Sequence, residues 1–242
     1  MSTFELIGFD ADDTLWHNER LYLEAQQKFA QLLAHYHDPE WVRQCLFETE
    51  TRNMQHYGYG IKAFALSLIE TAIELTEERI SSREIQEIVG WAKLMLNAEV
   101  ELLPGAAQVV PQLAQRYRLM VVTKGDLLDQ ERKIIKSGLE PCFSIIEVVS
   151  DKTPEIYRKL LDKHAVDPNR FLMVGNSLRS DILPVLGLGG SAVYVPYVTT
   201  WLHEAADEPG PSQAGYYPLR SLEELPSLLE QLEEKGHHVQ TS

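Results

Sequence analysis

Hydrophobic and polar positions recur along this chain with two different periods, and the change of period divides it. Residues 4–9 (FELIGF) form a short apolar and aromatic run, the pattern of a buried strand, which ends abruptly in the acidic turn DADDT. From about residue 17 to 103 the spacing becomes helical. Tyr22, Ala25, Phe29, Leu32, Leu33 and Tyr36 fall on one face, and Phe64, Leu68, Ile69, Ala72 and Leu75 do the same in a helix beginning near Ile61. Asp38-Pro39 reads as an N-cap with a first-turn proline, and Ser81-x-x-Glu84 as a capping box. This block predicts a small helical bundle.

After Leu103-Pro104-Gly105 the period changes again. Short apolar runs at 119–123, 145–149, 171–175 and 192–196 alternate with helical segments around 126–137, 154–165 and 178–187. Strands joined by crossover helices predict a mostly parallel sheet covered on both faces, a Rossmann-like three-layer α/β/α core. The strand at 4–9 joins that sheet. The expected organisation is therefore a core of 1–16 and 104–242 with an inserted helical module of 17–103. Pro111 conflicts with a helix drawn over 105–116, because it removes a backbone donor. Residues 203–218 read as a loop, Ser221-x-x-Glu224 as a second capping box opening a closing helix, and the tail from Lys235 to Ser242 as frayed.

Composition narrows the function classes. The 242 residues carry 22 basic and 36 acidic side chains, a net charge of -14, which disfavours nucleic acid and anionic membrane surfaces as partners. No run approaches the ~20 apolar residues of a membrane span, and the first residues lack a basic leader pattern, so a cytoplasmic protein is expected. Cys45 and Cys142 sit in no pairing or metal-spacing motif. Five of the eight histidines, His17, His35, His37, His164 and His203, show no metal spacing on a shared face either, except His35 and His37 in a loop.

In a parallel α/β sheet a ligand lies beyond the carboxyl ends of the strands, and the polar residues ending each apolar run converge. The first run ends at Asp10-Ala11-Asp12-Asp13-Thr14, the second at Thr123-Lys124, the third leads to Asp151-Lys152, and the fourth ends at Gly175-Asn176-Ser177 with Asp181 following. Three carboxylates within four residues repel one another unless a cation or protonation neutralises them. An oxygen-rich, sulfur-free group of this kind suits Mg²⁺. Read alone, DADDT is also compatible with a plain acidic turn.

The ordered set hhhhDxDxT, a strand ending in Thr, a later Lys and GNSxxxxD resembles the four motifs of the haloacid dehalogenase superfamily, over residues 4 to about 196. The resemblance implies a phosphohydrolase in which Asp10 is a covalent nucleophile forming an aspartyl-phosphate and Asp12 the general acid/base. Asp12 favours phosphate over halide, since dehalogenases of this fold lack an acid there. Thr123 would donate to a phosphate oxygen, and Gly125 would let backbone amides approach it. Lys152 would set a positive charge against the phosphate and Asp10, with Lys124 as a rival. The metal would lean on Asp10, the Asp12 backbone carbonyl, Asp181 and Asn176. Two departures from the pattern stand out: Lys152-Thr153-Pro154 replaces the usual Lys-Pro, and Asn176 replaces an acid.

By the same resemblance 17–103 is a helical cap that selects small phosphorylated substrates. Within it His56-Tyr57-Gly58-Tyr59-Gly60-Ile61-Lys62 interrupts two helices, and Tyr57, Tyr59 and Lys62 are candidate substrate readers or simply a helix-to-helix turn. Trp201 and His203 are candidates for the site entrance. A phosphotransferase or mutase using the same Asp pair is an alternative reading, and a non-catalytic ligand-binding member a further one. Oligomeric state and substrate are not written in the sequence.

Overall fold

The structure, a computed structural model, describes residues 3–199, 204, 206–210 and 212–239, the last five by backbone alone. The chain forms two compact units: Met1–His17, Val100–Thr123 and Lys133–Ser242 make one, Asn18–Glu99 and Lys124–Arg132 the other.

The first unit is built on a six-stranded sheet in the order β3-β2-β1-β4-β5-β6. Its strands are β1 (Leu6–Phe9), β2 (Arg118–Lys124), β3 (Ile145–Val149), β4 (Phe171–Gly175), β5 (Ser191–Tyr194) and β6 (Tyr216–Pro218). β1 pairs in parallel with both β2 and β4, Phe9 lying opposite Val121 and Val174. The Asp10 amide extends the pairing one residue further, donating to Val174 O at 2.9 Å.

The period-2 alternation of these strands sorts their side chains into two cores. Ile7, Phe9, Leu119, Val121, Leu172 and Val174 face one side, which α5 (Ala106–Ala114) and α9 (Leu225–Val239) cover with Val109, Val110, Leu113, Leu225 and Leu229. Leu6, Met120, Val122, Phe171 and Met173 face the other, covered by Tyr157, Leu160 and Leu161 of α7 (Pro154–Lys163) and Val185 of α8 (Leu183–Leu186). Each such buried side chain contributes about 1.5–3 kcal/mol, so the central strands read as continuous apolar runs rather than alternating ones.

The second unit holds α1 (Glu19–Leu32), α2 (Pro39–Tyr57), α3 (Ile61–Leu75) and α4 (Ser82–Asn97) around Phe29, Leu33, Leu46, Phe64, Leu68 and Ile88. Asp38 caps α2 by accepting from the Glu40 amide, and both halves of the Ser81–Glu84 capping box are formed. Its outline differs from the expected 17–103, because the end of β2 and the first part of α6 (Leu127–Lys136) belong with the helices. Asp126 explains part of this: it accepts from the Lys62 amide at 3.3 Å and from Lys62 Nζ at 3.2 Å.

Several expectations are corrected. The loop expected over 203–218 contains β6, whose Tyr216 and Tyr217 pair with Ala192 and Val193. Ser221 caps nothing with its side chain; Leu222–Glu224 is a 3-10 turn, and Glu224 instead accepts from the Arg220 amide and guanidinium. The helical segment expected around 178–187 is present, as a π-turn, Leu178–Ile182, followed by one turn of α-helix. The closing helix runs to Val239, four residues past Lys235, where fraying was expected. Pro111 is kept inside α5, which starts at Ala106 behind a left-handed Gly105. Both cysteines are free thiols. Among the described residues no helix is long and apolar enough to cross a membrane.

Candidate active site

The carboxyl ends of β1 and β4 and the loop after β3 bring four of the sequence candidates, Asp10, Asn176, Asp181 and Lys152, together in the sheet unit. Asp10 follows β1 directly and is 7% exposed; Lys152, 3% exposed, and Asp181, fully buried, close on it. Lys152 Nζ donates to Asp10 Oδ1 at 2.5 Å and to Asp181 Oδ1 at 2.7 Å. The irregular Lys152-Thr153-Pro154 step leaves the helix start intact, since the Thr153 hydroxyl still accepts from the Ile156 amide at the head of α7.

The acidic turn is shaped by its own backbone. Leu15 N reaches Ala11 O at 2.8 Å and Asp13 N reaches Trp16 O at 2.7 Å, with Asp13 in the left-handed region at φ 60°. This turn sends Thr14 back over Asp10. Thr14 Oγ1 lies 2.9 Å from Asp10 Oδ2 and 3.2 Å from Asn176 Oδ1, so its one proton faces two acceptors from separate strands. Asp12 points another way. Its Oδ1 accepts from Trp16 Nε1 at 2.7 Å, and Lys133 Nζ on α6 lies 2.7 Å from Oδ1 and 2.8 Å from Oδ2.

At the end of β4, Gly175 is required by close approach. A Cβ there would collide with the Asp181 carboxylate and stand 2.6 Å from Asp181 Cβ. The π-turn that follows has Asp181 N and Ile182 N both donating to Ser177 O, a local widening typical of functional segments. It leaves Asp181 Oδ2 accepting from the Ser177 amide at 3.0 Å. Glu204 binds the hydroxyls of both Ser177 and Ser180, tying the C-terminal loop to this turn.

One ammonium shared by two buried carboxylates leaves a charge deficit. Burial pushes Asp181 up to about 7, Lys152 pulls it down and Asp10 pushes it up again. For Lys152, burial alone would favour the neutral amine, but Asp10 and Asp181 outweigh it and hold the ammonium well above its usual range. Tyr157, whose buried hydroxyl has no hydrogen-bond partner, is raised well above the usual phenol range, chiefly by burial, although Lys152 opposes the shift.

The oxygens available to a hard cation are those of Asp10, Asp181 and Asn176 with the Asp12 backbone carbonyl. Asp10 Oδ2 and Asn176 Oδ1 both face the Thr14 hydroxyl, and hard oxygen donors of this kind are those that Mg²⁺ takes. Among the described residues no group of three His, Cys, Asp or Glu side chains stands ready for a metal, and the set is instead mixed.

Thr123 is the penultimate residue of β2 and is 1% exposed. Lys124, the rival lysine, belongs to the helical unit, where its Nζ lies 4.2 Å from the centre of the Tyr59 ring. Gly125 adopts φ 133°, and Gly60 adopts φ 120° where a Cβ would lie 2.8 Å from Asp126 Oδ2. Tyr57 is half-exposed beside His56. Trp201 and His203 lie outside the described residues. The sequence reasoning missed Lys133, Trp16, Glu204 and Tyr157. Only Trp16, four residues after Asp12 and two past the end of the motif, offered a local signal. Lys133 and Glu204 arrive from 121 residues away from Asp12 and 27 from Ser177.

Residues 4–186 match the family model of haloacid dehalogenase-like hydrolases. A crystal structure of a haloacid dehalogenase-like family hydrolase from Xanthomonas campestris is 41% identical, with a TM-score of 0.86 over 98% of this chain and 94% of that one. N-acylneuraminate-9-phosphatase from Rattus norvegicus is 25% identical over 246 residues, covering 96% of each chain. Glyceraldehyde 3-phosphate phosphatase from Pyrococcus abyssi is 34% identical over 101 residues, and there the match spans 39% of this chain and 42% of that relative.

Proposed function

Because the chain belongs to the haloacid dehalogenase-like hydrolase family, we propose that it is a phosphomonoesterase acting on a small phosphorylated metabolite through an aspartyl-phosphate at Asp10. It is an enzyme of the phosphoric monoester hydrolase type, as are its named relatives. The observation that carries the finer reading is the Lys152 ammonium 2.5 Å from Asp10 Oδ1, at the carboxyl end of the central strand.

In this reading an Asp10 carboxylate oxygen attacks phosphorus in line, the O–P bond forming as the ester P–O bond breaks. Asp12, as the carboxylic acid, gives its proton to the departing alkoxide, which leaves as the alcohol. Water then attacks the phosphorus of the acyl phosphate while Asp12 takes a proton back. The bond to Asp10 breaks, and inorganic phosphate departs. Lys152 and the Thr123 hydroxyl stabilise charge on the phosphoryl oxygens. Asp10, Asp181, Asn176 and the Asp12 backbone carbonyl would hold Mg²⁺, which would supply Lewis-acid neutralisation of that charge.

The helical unit is read as the family's cap module, with Tyr57, Tyr59 and Lys62 as substrate-selecting candidates. Truncating each singly to Ala should alter relative kcat/KM across a panel headed by N-acylneuraminate 9-phosphate and glyceraldehyde 3-phosphate; three unchanged profiles retire that assignment. The decisive test of the mechanism is phosphate release from an aryl phosphate with and without Mg²⁺, beside Asp10→Asn. Activity is expected only with Mg²⁺ and with Asp10 intact. Full activity in Asp10→Asn refutes the covalent step, and phosphate release without an added acceptor separates hydrolysis from phosphotransfer.

A further inference from the structure

The side chain of Asp12 is held by two donors that the catalytic motifs do not contain. Trp16 Nε1 donates to Oδ1, and Lys133 Nζ spans both oxygens at 2.7 and 2.8 Å. Both partners are largely shielded from water: Trp16 is 1% exposed and the Lys133 side chain 14%. They come from different directions, Trp16 from the turn itself and Lys133 from α6, which places it in the sheet unit although the first part of that helix belongs to the other unit. An Asp side chain has two rotatable bonds, and a single donor leaves it free to rotate about that contact. A rigid indole on one oxygen together with an ammonium across both fixes the carboxylate plane.

We propose that Lys133, with Trp16, is the positioning residue for the acid/base carboxylate: it sets the rotamer from which Asp12 serves the leaving oxygen. This inference rests on the acid/base reading of Asp12 given above. Proton transfer needs heavy atoms within about 2.6–3.2 Å, and a part-buried carboxylate free to rotate on a turn does not hold that tolerance without support. Lys133 acts through Asp12 and is not counted as catalytic. A structural role alone, bracing α6 against the turn, predicts the same contacts, so the test must read proton transfer rather than folding.

Leaving-group dependence does so. An alkyl phosphate needs its leaving oxygen protonated, whereas p-nitrophenyl phosphate releases a stable phenolate and depends little on the acid. Because kcat/KM reports steps through the first irreversible one, it isolates phosphorylation of Asp10. Lys133→Met should lower kcat/KM for an alkyl phosphate by about 10- to 100-fold, part of the 10²–10⁴ that general acid catalysis supplies, while changing p-nitrophenyl phosphate less than about threefold. Lys133→Arg, which can still donate to both oxygens, should recover most of the alkyl activity. The indole N–H resonance of Trp16, identified by its loss in Trp16→Phe, should shift in folded Lys133→Met as Asp12 loses its second donor.

Asp12→Asn is the control. It must show the same selective loss, in larger measure; if it does not, the acid/base reading of Asp12 fails before Lys133 is at issue. If Asp12→Asn behaves as expected while Lys133→Met loses activity equally on both esters, or on neither, the positioning role is overturned.

Discussion

Glu50 gives the strongest stability prediction in the molecule. It sits on the buried stripe of α2, 8% exposed, with Val42, Leu46, Thr49 and Asn53. The seam between α2 and α3 carries the Asn53 amide on Ser67 Oγ and Glu70 Oε2, and one turn along α3 from Ser67 the buried Thr71 hydroxyl has no partner. Burial alone pushes the Glu50 carboxyl from its ordinary 4.5 to about 8. Between those values the folded chain keeps a proton that the unfolded chain has lost. Stability from this group is complete below pH 4.5 and drains away as pH rises toward 8, at about 1.4 kcal/mol per pH unit, of order 5 kcal/mol in all. Glu50→Gln keeps the shape and removes the ionisation. Urea unfolding followed by circular dichroism at pH 5, 6, 7, 8 and 9 should show wild type and variant nearly equal at pH 5 and the variant more stable by several kcal/mol at pH 9. Parallel curves would mean that Glu50 reaches water or a counter-charge in the folded state, and the argument from burial would be wrong.

Lys152→Met should destabilise the sheet unit by about 3–5 kcal/mol at neutral pH, because it leaves Asp10 and Asp181 buried without their cation; thermal melts should show the deficit shrinking toward pH 5 as Asp181, which burial already raises to about 7, protonates. Asn176→Asp adds a charge to the oxygen set facing Thr14, so Mg²⁺ titration of activity should show a lower half-saturation than wild type, and equal values would remove Asn176 from the ligand set. Ser81→Ala deletes one half of the capping box on α4 and should cost about 1 kcal/mol in urea melts with kcat/KM unchanged.

Much of the architecture was legible because it is local. The short continuous apolar runs at 119–123 and 171–175 and the helical spacing of Phe64, Leu68 and Ala72 report burial on two faces and on one, and tertiary packing used them as written. β6 escaped because three residues in a Pro- and Gly-rich stretch carry no period; their strand character comes from pairing with β5. Ser221-x-x-Glu224 misled because the same two residue types serve equally well when Glu224 turns to Arg220. The helical unit's claim on Lys124–Arg132 was hidden too, since it depends on contacts such as Lys62 with Asp126, 64 residues apart.

For the site, the sequence by itself determined the chemistry: carboxylates, a hydroxyl and a lysine at the ends of apolar strands, because strand ends in a parallel sheet share one edge. Only the tertiary structure decided how those groups divide their partners. Lys152 reaches Asp10, Asn176 shares Thr14 with it, and Asp12 is bound by Trp16 and Lys133. Glu50 and Glu48 stand two residues apart on α2 and read alike, yet one is buried and the other exposed. The reason is common to all of these. Residue type sets what a side chain can do, while the distance and dielectric that choose among its options are properties of segments brought together by folding.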